Sequence, residues 1–155
     1  MNDKYERVGE IDMASYKRIL VAIDGSEQAE KAFADALKLA KDTGASLAMA
    51  AVIDTRSFPS FTVEGTTWEE ELREEMETVL RGFQEKAEAE GLQSVGTFLE
   101  RGNPKKMLAE EIPELFGADL LVCGATGLNR VEKMMMGSVS SYLVQHAKCS
   151  VLIAR

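Results

Sequence analysis

The chain has 155 residues, 45% of them hydrophobic, a formal net charge of −8 and a pI near 4.8. That length supports one well-buried core, whereas the acidity leaves no basic stripe for a phosphodiester backbone and suits an anionic membrane surface no better, so neither nucleic acid nor membrane is an expected partner. No apolar run approaches the ~18 residues of a spanning helix, and a soluble protein is expected.

Residues 1–16 (MNDKYERVGEIDMASY) mix charged and polar groups without the apolar stretch of a secretory signal. They read as an additional tail, free to be mobile, ahead of a single domain over 17–155. Residues 17–24 (KRILVAID) form a short apolar run ended by Asp24-Gly25-Ser26, which is the pattern of a buried strand feeding a helix N-terminus. The following helix places Ala29, Phe33, Ala36 and Ala40 on one face, with Gly44 as its expected stop. Residues 47–53 (LAMAAVI) are a second buried strand. Residues 54–66 contain Pro and Gly without periodicity and lead into a long helix reaching about Glu90. Trp68, Leu72, Met76, Val79, Leu80, Phe83 and Ala87 recur along it at three-and-four spacing, the mark of an inward face. A weaker strand is expected at 94–100. Asn103-Pro104 then offer an N-cap and a favoured first helical residue. Leu108, Ile112 and Leu115 are expected on the inner face of this third helix, which Pro113 should kink or end near Ile112. A fourth strand at 120–123, a fourth helix at 138–147 and a fifth strand at 151–154 complete the chain.

The order βαβαβαβαβ implies a parallel sheet with helices on both faces. Ligands of such doubly wound sheets sit beyond the carboxyl ends of the strands, where the strand order switches. Asp24, Asp54 and Gly124 all fall on that rim. Between Cys123 and the fourth helix, Gly124-Ala125-Thr126-Gly127 is followed by nine residues and then Gly137-Ser138. Glycine lets a backbone approach a ligand closely and adopts φ > 0 cheaply, so Gly124 and Gly127 suit a tight turn. A helix opening at Gly137-Ser138 has N–H groups without intrahelical partners and a dipole that favours an anion. The hydroxyls of Ser138, Ser140 and Ser141 add donors, and a phosphate is the expected guest. The plainer alternative is a strand-to-helix connection with a serine cap and ordinary turn glycines.

Asp24 has two readings. It can cap the first helix, with Glu27 completing a capping-box-like arrangement, or it can accept hydrogen bonds from ribose hydroxyls at the mouth of a nucleotide cleft; beside the glycine motif the second is preferred. Arg130 and Lys133 are the cations of the nine-residue stretch and could neutralise outer phosphates. Lys105 and Lys106, in the first turn of the third helix, could raise the local positive potential. His146 is the single histidine, so a two-histidine metal site or a histidine triad has no second member. Cys123 and Cys149 lie in or beside apolar runs; two thiols do not make a disulfide framework, and a reducing cytoplasm is the expected location. No Walker lysine motif, Gly-x-Gly-x-x-Gly or nucleophile elbow is present.

Ala22-Ile23-Asp24-Gly25-Ser26, Val52-Ile53-Asp54, the Gly124 to Ser138 motif and the ending GSVSSYLVQHAKCSVLIAR together resemble the universal stress protein family over roughly residues 17–155. The resemblance implies a Rossmann-like α/β fold, a doubly wound five-stranded parallel sheet of order 3-2-1-4-5 with helices on both faces. It also implies a ligand, ATP or a related AMP or ADP, with Mg2+ or Mn2+ bound through the phosphates. On that reading Asp24 contacts the ribose, the backbone around Ala22 and Ile23 lines the nucleoside, and Val52 faces adenine. Gly124, Ala125, Thr126, Gly127, Asn129, Arg130, Gly137, Ser138, Val139 and Ser140 would hold the phosphates. Met134-Met135-Met136 and Ser150 depart from the family pattern without touching a phosphate donor; the methionines read as core filling on a turn of helix. The apolar last strand is an expected sheet edge, and edges invite pairing, so a homodimer through Ser150 to Arg155 is anticipated. The expected function is a nucleotide-dependent regulatory module of a stress response. A weak ATPase or phosphotransferase at the same site is the alternative, although no catalytic base is evident, and an interaction protein with an empty cleft is the third reading.

Overall fold

The computed structural model describes residues 16–57, 67–126 and 136–155. Five strands form its centre: β1 (Arg18–Ala22), β2 (Ser46–Asp54), β3 (Val95–Gly102), β4 (Leu120–Gly124) and β5 (Ser150–Ala154). All pair in parallel, in the order β3-β2-β1-β4-β5. β1 sits in the middle, with Ile19 level with Leu47 of β2 and Leu120 of β4. A strand buried on both faces needs no polar alternation, which is why RILVA and LLVCG read as unbroken apolar runs.

Residue-by-residue alternation divides the core into two layers. On one face, Ile19, Val21, Met49 and Val122 meet Ala29, Phe33, Ala36 and Ala40 of α1 (Glu27–Thr43) and Leu80 and Ala87 of α2 (Thr67–Ala89). Phe83 of α2 reaches Phe33, ring centres 4.6 Å apart. On the other face, Leu20, Ala50, Leu121 and Cys123 pack against Leu108, Ala109, Ile112 and Leu143. The last of these belongs to α5 (Ser138–His146). The doubly wound fold expected from the sequence is therefore the one observed.

Local signals place the boundaries. Gly44 ends α1 in the left-handed region at φ 74°, its N–H returning to Ala40 O, and Asn103 caps the third helical stretch by accepting from Lys105 N at 3.1 Å. Two expectations need correction. The inward stripe of α2 begins later than its periodicity suggests, because Trp68 and Leu72 are exposed while Leu80 and Ala87 are buried. The third helical stretch does not end at Ile112: α3 (Pro104–Lys106) passes into a π turn (Met107–Glu111) and then into α4 (Ile112–Phe116). Pro113 has no N–H to place and its ring crowds the preceding turn. The wider π turn, with Ile112 N–H donating to Met107 O, relieves that crowding. The extra residue rotates the face by about 100°, so Leu115 is 72% exposed instead of inward, whereas Ile112 is fully buried.

At the amino end of the sheet Asp119 brackets the start of β1, accepting from Lys17 N at 2.7 Å and Arg18 N at 3.0 Å. Arg18 also lies 4.3 Å over the Phe116 ring and its Nε donates to Phe116 O. Among the described residues no helix is long and apolar enough to cross a membrane.

Candidate functional site

β1 and β4 are neighbours, yet α1 leaves β1 toward one face of the sheet while α5, after β4, packs on the other. This divergence opens a crevice at the strands' carboxyl ends, the position where doubly wound folds bind ligands. A cavity of about 340 Å³ fills it, within the range of small-molecule sites. Strand order gives the cavity two unlike ends. Toward β2 the lining is Ala22, Val52, Pro104 and Leu108, with the Asp54 carboxylate at the strand's end. Toward β4 it is Gly124, Thr126, Gly137, Ser138 and Ser140, a set rich in backbone and hydroxyl groups.

The β4 end is organised by α5. Gly137 begins that helix with extended backbone (φ −64°, ψ 162°) and no side-chain cap, so the first-turn N–H groups keep their anion preference. The connection between β4 and α5 is closed at its base. Gly137 N donates to Ala125 O at 2.7 Å, and the Ser140 hydroxyl donates to the same oxygen, also at 2.7 Å. Ser140 is buried and its hydroxyl is held by Ala125 O and Gly137 O at the loop base; among the described residues Ser138 and Thr126 are lining hydroxyls without such a tie. Gly124 does not adopt positive φ, contrary to the tight-turn expectation. Its requirement is steric: an added Cβ would stand 2.7 Å from Gln28 Cβ and 2.9 Å from the Gln28 carbonyl carbon and oxygen. The missing side chain lets α1 seat against the end of β4.

At the middle of the rim Asp24 does not cap α1. Ser26 does, accepting from Ala29 N at 3.1 Å. Asp24 Oδ1 accepts instead from Ser26 N at 3.0 Å and from the Ser26 hydroxyl at 2.6 Å. Asp54, at the end of β2, also lines the cavity. Arg56 grips it with two parallel bonds, Nε to Oδ1 and an Nη to Oδ2, both 2.9 Å. This charge-assisted pair holds the Asp54 carboxyl below its ordinary pKa, so the rim carries Asp54 as a neutralised ion pair. Burial pushes the Cys123 thiol up to about 12, which makes it an inert wall group.

Of the residues singled out in the sequence, Ala22, Ile23, Asp24, Val52, Gly124, Thr126, Gly137, Ser138, Val139 and Ser140 meet around this one cavity. Ala125 stands at the loop base without lining it. Gly127, Asn129, Arg130 and Lys133, together with Met134 and Met135, lie outside the described residues. Lys105 and Lys106 do not line the cavity, although Pro104 beside them does. His146 stacks on Tyr142, ring centres 4.1 Å apart, with Nδ1 3.1 Å from Tyr142 O. Sequence reasoning did not assign Ser26, Ala29, Pro104, Leu108 or Cys123 to the site; the signal available for Pro104 and Leu108 was their place directly after β3, on the same rim.

The model of the universal stress protein family matches residues 15–155. A relative from Staphylococcus haemolyticus that carries the universal stress protein name is 42% identical over 143 residues, covering 92% of this chain and 87% of its own. Among solved structures, the universal stress protein UspA from Lactobacillus plantarum superposes with a TM-score of 0.76 at 28% identity, over 90% of this chain and 98% of that one. A universal stress protein solved in complex with cAMP superposes with a TM-score of 0.66 at 26% identity, over 90% and 97%. The fold is that of a doubly wound α/β protein with a switch-point cavity. The chain belongs to the universal stress protein family.

Proposed function

We propose that residues 17–155 form one nucleotide-binding domain that takes ATP, or another adenine nucleotide, as a regulatory ligand. The observation that carries this reading is the polarity of the cavity. Its β2 end offers the apolar groups Ala22, Val52, Pro104 and Leu108 to a base, with Asp54 paired to Arg56 at the rim, and its β4 end is an uncapped helix start bordered by hydroxyls, suited to phosphates. Asp24, between the two ends, suits a sugar. Gly127, Asn129 and Arg130 would complete the phosphate contacts. Mg2+ or Mn2+ would be bound by the phosphates themselves. The cAMP complex of a structural neighbour supports an adenine nucleotide as the ligand class.

Binding would alter a surface read by partners, which requires different affinity for the ligand in two states. Hydrolysis is the second reading; it needs a base or a held water, and no lining residue stands out for that role. A homodimer through β5 and a cytoplasmic location complete the proposal.

The test is native mass spectrometry of the purified protein for retained nucleotide, followed by calorimetric titration with Mg-ATP, AMP and cAMP. Binding of at least one that is abolished in Gly127→Val is expected. Absence of any retained or titratable nucleotide would falsify the proposal, and multiple turnovers of ATP lost in the same variant would move the assignment to an ATPase.

A further inference from the structure

The triplet Asp24-Gly25-Ser26 is built more specifically than helix capping requires. Gly25 has φ 83° and nothing within 4 Å of an added Cβ, so glycine serves the left-handed turn itself and not clearance. That turn folds Ser26 back onto Asp24. The Ser26 N–H donates to Oδ1 at 3.0 Å, closing an Asx turn, and the Ser26 hydroxyl donates to the same oxygen at 2.6 Å. Ser26 Oγ in turn accepts from Ala29 N at 3.1 Å. Donors therefore run in one direction, from the first turn of α1 through a buried hydroxyl to an exposed carboxylate, and such a chain is cooperatively polarised. Capping uses only the lone pair of Ser26 Oγ; its proton could have pointed elsewhere.

Two donors occupy Oδ1 and fix the plane of the carboxylate, while Oδ2 makes no hydrogen bond with the described residues. Both Asp24 and Ser26 line the cavity. An ionised carboxylate accepts hydrogen bonds only, and sugar hydroxyls are donors. A carboxylate already held in one orientation loses little further freedom when it engages them.

We infer that Ser26 is a positioning residue that locks one oxygen of Asp24 and presents the other to the sugar, so that the site selects ribonucleotides over deoxyribonucleotides. The inference rests on the nucleotide reading above and deepens it.

The experiment compares affinities for the magnesium complexes of ATP, 2′-deoxyATP and 3′-deoxyATP by calorimetry, with thermal unfolding as a parallel readout. Its proteins are the wild type, Ser26→Gly, Ser26→Ala and Ser26→Thr. Glycine is nearly as good an N-cap as serine, so Ser26→Gly removes the hydroxyl with little loss of the helix, and Ser26→Thr retains it. The wild type is expected to prefer ATP over at least one deoxy analogue by about tenfold, the worth of one charge-assisted hydrogen bond. In Ser26→Gly and Ser26→Ala the preference should shrink to about twofold or less, and Ser26→Thr should keep it. A merely structural serine would weaken all three ligands together and leave their ratio unchanged; that result overturns the inference. Equal wild-type affinity for all three overturns it while sparing the nucleotide reading, and a wild type that binds none of them removes both.

Discussion

An alanine methyl at residue 124 would stand within 2.9 Å of two backbone atoms of Gln28 as well as its Cβ, and backbone atoms of a helix cannot step aside singly. Gly124→Ala should therefore push α1 away from β4, costing about 1–3 kcal/mol in urea unfolding and weakening nucleotide binding. Gly82, exposed in the middle of α2 with nothing within 4 Å of an added Cβ, supplies the contrast. Its change to Ala should stabilise by about 0.5–1 kcal/mol, because mid-helix glycine carries only an entropic cost. Equal effects at the two positions would refute the steric account of Gly124. The Asp54–Arg56 pair makes a prediction of a different kind. Asp54 has a folded-state pKa below its usual 3.8, so the pair contributes stability that is present above that value and lost as pH falls through the folded pKa. Arg56→Gln should be less stable than wild type at pH 7, by the small amount typical of a largely exposed pair. The gap should close on acidification below the carboxylate range. A gap that persists at acid pH would show that Arg56 acts by packing.

Among the elements, the α–π–α stretch from Pro104 to Phe116 shows where periodicity stops being a guide. Ile112 and Leu115 share an apolar, three-apart pattern, yet Ile112 is fully buried and Leu115 is 72% exposed. Ile112→Ala should cost about 2–5 kcal/mol in unfolding free energy, whereas Leu115→Ala should change it by no more than about 0.5. Comparable losses would restore the regular helix. The succession of strands and helices and the caps at Gly44 and Asn103 were legible because buried strands, positive-φ glycine and Asx capping act locally, whereas the strand order came from the family resemblance. The phase slip was not legible, since Pro113 carries the same sequence signal whether a helix ends or widens around it. Nor does local sequence reveal why residue 124 lacks a side chain, since the obstacle sits nearly a hundred positions earlier, on α1. For the cavity, strand ends pointed to Asp24, Asp54 and Gly124, and the family resemblance added Val52. Ser26 escaped because its bond to Asp24 depends on a left-handed turn at Gly25.

At the scale of the whole molecule, parallel pairing gathers every strand's carboxyl end on one rim and leaves β3 and β5 as the two edges. β5 carries partly exposed Val151, Leu152 and Ile153 and little to deter pairing. Sedimentation equilibrium at micromolar concentration is expected to give twice the mass of the 17.0 kDa chain, and a monomer there would contradict the proposed homodimer. The opposite end of the sheet has another character. Asp119 holds the entry of β1 through two backbone N–H groups, and Arg18 stacks on Phe116, a full strand length away from the cavity. Such a separation gives natural selection two independent adjustments. Substitutions in the bracket around Asp119 can tune stability, while the affinity for the nucleotide proposed for the cavity stays where it was.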